Sequence, residues 1–211
     1  MTMIEKEWAE RVRAAVATRT PLCLRGGGSK DFFGCTLAGE RFDLRANRGV
    51  VAYEPTELVV TVCAGTPLAE LEAVLADKGQ YLAFEPPHFG PGATVGGCVA
   101  AGLSGPRRAS AGAVRDFMLG VKLLDGRGEV LRFGGQVMKN VAGYDVSRLV
   151  AGSLGTLGIL LEVSLKVLPR PVAEATLRFE LDEASALQRV NEWGGQPLPV
   201  SATLWQDGVL H

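Results

Sequence analysis

The sequence predicts an α+β protein, and three observations carry that reading. Apolar residues recur at helical spacing near the N-terminus, a strand–helix–strand pattern occupies residues 58–84, and a β-hairpin signature between residues 118 and 133 precedes an alternating strand. Taking the elements in order, Ile4, Trp8, Val12 and Ala15 with Glu and Arg between them predict one amphipathic helix within residues 1–20, ending before Pro21. A short strand, Leu22 to Leu24, runs into Arg25-Gly26-Gly27-Gly28-Ser29-Lys30. That turn carries few side chains and leaves backbone N–H groups free to point at an anion. Val50 to Tyr53 and Leu58 to Cys63 are β-rich, and Ala64-Gly65-Thr66-Pro67 supplies a turn, an N-cap and a proline at the first helical position. The helix is expected from Pro67 to Lys78, capped by a left-handed Gly79, with a strand resuming at Tyr81 to Phe84.

From Glu85 to Gly97, Pro86, Pro87, Pro91 and four glycines break regular structure before a small-residue helix, Cys98 to Leu103. Met118 to Leu124 and Glu129 to Phe133, joined by Asp125-Gly126-Arg127-Gly128, read as the hairpin. In the strand Ile159 to Leu168, Leu161, Val163, Leu165 and Val167 alternate with Glu162, Ser164 and Lys166. Beyond Pro169 and Pro171, Ala175 to Leu181, Glu183 to Trp193 and Ser201 to Trp205 suggest a β–α–β unit. The expected organisation is therefore a domain over residues 1–171 and the start of a truncated second domain over 172–211.

Composition narrows the function classes. With 211 residues and 47% hydrophobic content, the chain can bury a substantial core, and disorder is disfavoured. Twenty-two basic against twenty-three acidic residues create no overall field for nucleic acid or an anionic membrane, so any anion must be held locally. Cys23, Cys35, Cys63 and Cys98 form no Cys-x-x-Cys pair, which argues against a zinc or iron–sulfur site and reads as reduced, mostly buried thiols; no metal is expected. Without a basic-then-apolar leader or a run of about 20 apolar residues, a soluble intracellular protein is expected.

A single glycine run is weak evidence, because loops of any α/β protein are glycine-rich. Neither Gly26-Gly27-Gly28 nor the stretch Gly152 to Gly158 has the G-x-G-x-x-G spacing, and no phosphate-loop motif occurs, so a Rossmann domain or an NTPase is disfavoured. What strengthens the signal is four segments in fixed order: Arg25 to Ser29, Pro91 to Gly97, Gly112 to Asp116, and Lys139 to Ile159. Together they resemble the FAD-binding domain of the p-cresol methylhydroxylase and vanillyl-alcohol oxidase superfamily over roughly residues 20 to 170. Thr94-Val95-Gly96-Gly97, Val114-Arg115-Asp116, Lys139-Asn140-x-x-Gly143-Tyr144-Asp145 and Gly152-Ser153-x-Gly155-Thr156-Leu157-Gly158 look like its D-lactate dehydrogenase and glycolate oxidase branch. The run Gly102 to Arg108, Val137 to Asp145 and Lys166-Val167-Leu168-Pro169-Arg170-Pro171 look more narrowly like the smaller FAD-binding subunits of bacterial glycolate oxidases.

The resemblance implies a p-cresol methylhydroxylase-type fold with the flavin between two subdomains and a partial β–α–β cap after it. By similarity, Gly26, Gly27, Gly28 and Ser29 wrap the FAD pyrophosphate, with Arg25 adding charge, and Gly92, Ala93, Thr94, Val95, Gly96 and Gly97 line pyrophosphate and flavin, with the helix beginning near Val95 offering further donors at its N-terminus. Ala109, Gly112, Val114 and Asp116 border the ribityl and adenosine side, and Gly158 and Ile159 meet the cofactor through backbone. Ser29 stands where relatives often carry a tethering histidine, so non-covalent FAD is implied. Other polar residues have structural readings: Asp145 as a helix cap, Arg115 and Asp116 as partners of their neighbours, Arg107 and Arg108 as a solvated loop or subunit contact, and His88, the only internal histidine, as incidental.

Oxidising a 2-hydroxy acid needs a base and a site for the carboxylate. The sequence offers no clear set, and in catalytic relatives these come mainly from the C-terminal domain. The expected function is thus a flavin-carrying subunit of a glycolate oxidase, working with a catalytic flavoprotein subunit and an iron–sulfur subunit, in the cytoplasm or at the inner membrane face through that complex. The alternatives are a self-sufficient D-2-hydroxy-acid dehydrogenase or cell-wall-precursor reductase, and a scaffold subunit with a vestigial cleft.

Overall fold

The structure, a computed structural model, describes residues 1–34, 36, 38–135 and 144–211. The quoted segment Lys139 to Gly143 and the thiol of Cys35 lie outside the described residues. Helix α1 (Met3–Thr18) opens with a capping box in which Thr2 and Glu5 satisfy each other's backbone N–H groups. Its buried face is Glu5, Trp8, Ala9, Val12 and Ala15, with Ile4 partly buried against the same cluster, close to the helical pattern in the sequence. Strands β1 (Leu22–Arg25) and β2 (Glu40–Asp43) pair in parallel, Leu22 opposite Glu40. Then follow β3 (Val50–Glu54), β4 (Val59–Cys63), α2 (Leu68–Ala76), β5 (Gln80–Tyr81), α3 (Val95–Ala101), α4 (Arg108–Ala111), β6 (Met118–Leu124) and β7 (Val130–Gly134). The chain continues through α5 (Val146–Leu149), β8 (Ile159–Lys166), β9 (Leu168–Pro169), β10 (Phe179–Glu180), α6 (Glu183–Gly194), β11 (Trp205–Gln206) and β12 (Val209–Leu210).

The centre is an antiparallel five-stranded sheet in the order β3-β4-β8-β6-β7. One face carries the larger core, where Leu68, Leu71 and Leu75 of α2 and Val95, Cys98 and Val99 of α3 pack on Val60, Val62, Val121, Val163 and Leu165. The other face, near Leu124, Ile159 and Leu161, is covered by Trp8, Ala9 and Val12 of α1 and by Phe42 of β2. This double cover modifies the simple alternation expected for β8. Lys122 pairs with Glu162 and Leu123 with Leu160, so Leu161 is an extra, bulged residue and turns to the second face. Its carbonyl accepts from Asn47 Nδ2 at 2.6 Å and from the Ala64 N–H at 2.9 Å.

A buried ionic cluster fastens α1 to the sheet. Lys122 Nζ on β6 pairs with Glu5 and, at 2.9 Å, with Glu162 on β8. Burial pushes the Glu5 carboxyl up, but the Lys122 hydrogen bond, the Thr2 N–H and the Lys122 charge outweigh it and hold Glu5 below its ordinary value.

Several local expectations are corrected. The residue before α2 is Pro67, with no side-chain cap; Thr66 is fully buried, and its hydroxyl accepts the Gly49 N–H at 2.9 Å, tying the turn to β3. Gly79 is left-handed as expected, at φ +64°. The strand after it is only Gln80–Tyr81, and the small-residue helix begins at Val95, three residues ahead of the residue pattern and at the start the resemblance implies. At the C-terminal end, β10, β12 and β11 form a three-stranded antiparallel sheet beside α6, whose cap Asp182 accepts from the Ser185 N–H at 2.8 Å.

Candidate functional site

Between the β1–β2 layer and one end of the sheet lies a cleft of about 650 Å³, inside the range of small-molecule sites, roughly 300–1,000 Å³. Its walls come from β1 and the following turn (Leu22 to Asp31), from Thr94, Gly97, Ala100 and Ala101 beside α3, from the β6–β7 turn (Leu124 to Gly126), and from Leu154 to Ile159. Of the residues singled out in the sequence, Arg25, Gly26, Gly27, Gly28, Ser29, Thr94, Gly97, Gly158 and Ile159 meet there. Ala93, Val95 and Gly96 are buried one layer behind. Gly92 lines a second cavity of about 580 Å³ on the far side of the turn, where Arg45 is held by Asp43 and Arg48 by Glu70.

Ala109, Gly112, Val114 and Asp116 are not among the residues lining either cavity. Val114 is in the core, and Asp116 accepts the Ala113 N–H at 2.9 Å. Asp145 caps α5 by accepting the Arg148 N–H at 3.1 Å, the structural role expected of it. Arg107 is neither solvated nor free: it is 15% exposed, pairs with Glu85 at 2.9 Å and also with Glu174. His88 pairs with Glu72 at 3.0 Å and is not among the cleft residues.

The backbone donors are distributed differently from expectation. In α3 the first N–H groups are all spent within the protein: Val95 to Thr66 O at 2.9 Å, Gly96 to Ala64 O at 2.7 Å, Gly97 to Thr94 Oγ1 at 3.1 Å and Cys98 to Thr94 O at 2.9 Å. None of the N–H groups of Gly26, Gly27, Gly28 and Ser29 donates a hydrogen bond among the described residues. Four successive residues on a cleft wall thus keep N–H groups that no acceptor among the described residues uses, the kind of donor an anion takes.

The glycines of this turn have a packing role as well. A Cβ on Gly27 would stand 1.4 Å from the Gly92 carbonyl oxygen, and one on Gly26 would stand 2.5 Å from Thr94 Oγ1. Gly28 is left-handed at φ +75°. The turn thus nests against the 92–94 segment while its donors stay open. Arg25 does not add free charge, because Asp31 takes its guanidinium in a two-point contact, with Nε–Oδ1 at 3.1 Å. The Asp31 hydrogen bond, reinforced by the Asp31 charge, raises Arg25 above its ordinary value.

The sequence reading did not single out Lys30. Its residue lines the cleft, yet its Nζ is buried with no hydrogen-bond partner among the described residues. The nearest ring is Phe89, 5.8 Å from ring centroid to Nζ. Burial lowers the Lys30 ammonium from its ordinary value and pushes the Cys98 thiol up to about 12, so Cys98 stays neutral and gives no counter-charge. Leu22, Leu24, Leu124, Leu154 and Leu157 were also missed; they give the cleft apolar walls beside the polar turn. The arrangement fits an elongated amphiphile with an anionic middle, such as a flavin dinucleotide. Among the described residues no cluster could hold a metal ion, and no helix is long and apolar enough to cross a membrane.

Comparison with known proteins agrees with this geometry. A family model described as an FAD binding domain matches residues 4–134. The chain is 52% identical over 95% of its length to the glycolate oxidase subunit GlcE of Escherichia coli (strain K12), of which it spans 57%. It is 30% identical over 75% of its length to the glycolate oxidase subunit GlcD of Bacillus subtilis (strain 168), of which it spans 34%. Among solved structures, an alkyldihydroxyacetonephosphate synthase superposes on 88% of the chain with a TM-score of 0.67 at 23% identity, the match covering 35% of that enzyme. The chain therefore spans little more than half of one of these relatives and about a third of the others.

Proposed function

Because the chain belongs to the FAD-binding-domain family whose model it matches over residues 4–134, we propose that it is the flavin-carrying subunit of a multi-subunit glycolate oxidase. The single observation behind the site is the run of unspent N–H groups from Gly26 to Ser29 on the wall of a cleft that Leu22, Leu24, Leu124, Leu154 and Leu157 also line. These donors hold the FAD diphosphate without a basic cluster, consistent with the chain's near-neutral balance of charge. Leu22, Leu24, Leu124 and the backbone of Gly158 and Ile159 enclose one end of the cofactor and keep water from it. Ser29, on the wall, has no imidazole to form a tether, so the flavin is held non-covalently.

Bound FAD supplies the hydride acceptor for oxidation of a 2-hydroxy acid. The base and the carboxylate clamp come from elsewhere in the complex, since His88 is engaged with Glu72 and Arg107 with two glutamates. We assign residues 1–171 to the flavin-holding unit and 172–211 to a cap. The GlcE and GlcD names of the relatives support a catalytic flavoprotein subunit as partner, and we extend the assembly to an iron–sulfur subunit that carries electrons away.

An absorption spectrum of the purified protein, taken before and after acid precipitation, tests the reading. Flavin bands that move into the acid supernatant are expected. A folded, colourless protein that takes up no added FAD contradicts it.

A further inference from the structure

We propose that Lys30 is the counter-cation of the cleft, its ammonium pairing with the diphosphate of a dinucleotide held by the Gly26–Ser29 turn. The inference rests on the flavin reading above and adds a residue to it. Lys30 directly follows the four unspent N–H groups, and its stem forms part of the cleft wall. Its Nζ is the buried side-chain polar atom that lacks a partner among the described residues. Burying an ammonium without an acceptor is costly, and among the described residues its surroundings supply none, since Cys98 is a neutral thiol and Phe89 offers only a ring face. The other cation of the turn, Arg25, is already satisfied by Asp31. An anion cradled one residue away is the partner that removes this cost, and the four-carbon stem of a lysine reaches it by changing rotamer. The lysine then acts as a point charge added to directional backbone donors, a combination suited to phosphate.

The test uses the purified protein stripped of nucleotide, as wild type and as Lys30→Met and Lys30→Arg variants. FAD, ADP and riboflavin are titrated separately: ADP keeps the diphosphate without the flavin, and riboflavin keeps the ring without phosphate. The expected result is that Lys30→Met weakens FAD and ADP by the same factor, tenfold or more, and leaves riboflavin unchanged. Lys30→Arg restores most of the loss. The ligand-free methionine variant melts no lower than wild type, because an uncompensated cation has been removed, which separates a binding role from a structural one. Unchanged FAD and ADP affinity in Lys30→Met overturns the proposal, as does an equal loss for riboflavin, which would make the defect a general one of the cleft rather than the loss of a diphosphate contact. Wild-type protein that binds ADP but neither flavin rejects the flavin reading while the ADP comparison still decides Lys30; binding of none of the three overturns both.

Discussion

Gly27 shows how one missing side chain can serve two purposes. Its Cα faces the Gly92 carbonyl so closely that any Cβ would overlap it, while its N–H finds no acceptor among the described residues. Gly27→Ala is therefore expected to force the two segments apart, costing roughly 1–3 kcal/mol and lowering FAD affinity in the same preparation. Gly194→Ala, where an added Cβ meets nothing within 4 Å, serves as the control and is expected to be neutral or stabilising. Urea midpoints and flavin-fluorescence titration read both effects; a Gly27→Ala protein with wild-type stability and affinity refutes the nested-turn account. At this scale the sequence displayed the glycines but not their reasons. It could not say that the N–H groups of α3 are consumed by Thr66, Ala64 and Thr94 while those of the turn are not, because that depends on partners distant in the chain. Lys30 was hidden for the same reason: a lysine in a polar turn reads as solvated until its burial is seen.

Among the elements, α1 was legible from Trp8, Val12 and Ala15, and the β6–β7 hairpin from its Asp-Gly turn. Strand β2, Glu-Arg-Phe-Asp, was not, since a single buried Phe42 between charged neighbours leaves no period to read. Nor could Glu5 be recognised as a buried anchor, because its partner Lys122 lies more than a hundred residues away. Removing the shared cation with Lys122→Met should cost about 3–5 kcal/mol by stranding two carboxylates, Glu5 at 2% exposure among them. The pH dependence has a definite sign. Glu5 lies below its ordinary value of 4.5 when folded, so its contribution is present above about pH 4.5 and lost as pH falls through the lower, folded value. Urea midpoints followed from pH 7 to pH 3 should fall more steeply for wild type than for Glu5→Gln. Parallel curves would remove Glu5 from the account.

The whole molecule places the proposed ligand cleft where two separately packed layers meet: Trp8, Phe42 and Leu124 on one side, and the α2–α3 core on the other. A ligand that touches β1, α3 and the 154–159 segment together binds only when those layers are assembled, so it must stabilise the fold as a unit. At a hundredfold excess of FAD over its dissociation constant the gain is about 2.7 kcal/mol, and the melting temperature of stripped protein should rise with added FAD in proportion to the logarithm of its concentration. A melting temperature indifferent to FAD argues against a cleft that spans both layers.

The bulge at Leu161 has one more effect. Residues 159 and 160 run out of phase with the rest of β8, so trimming a single amino acid there would exchange Ile159 and Leu160 between the two faces. Length variation among natural homologues should then gather ahead of Gly158 and stop abruptly at it, marking the boundary between a stretch free to drift and one whose residue count is fixed.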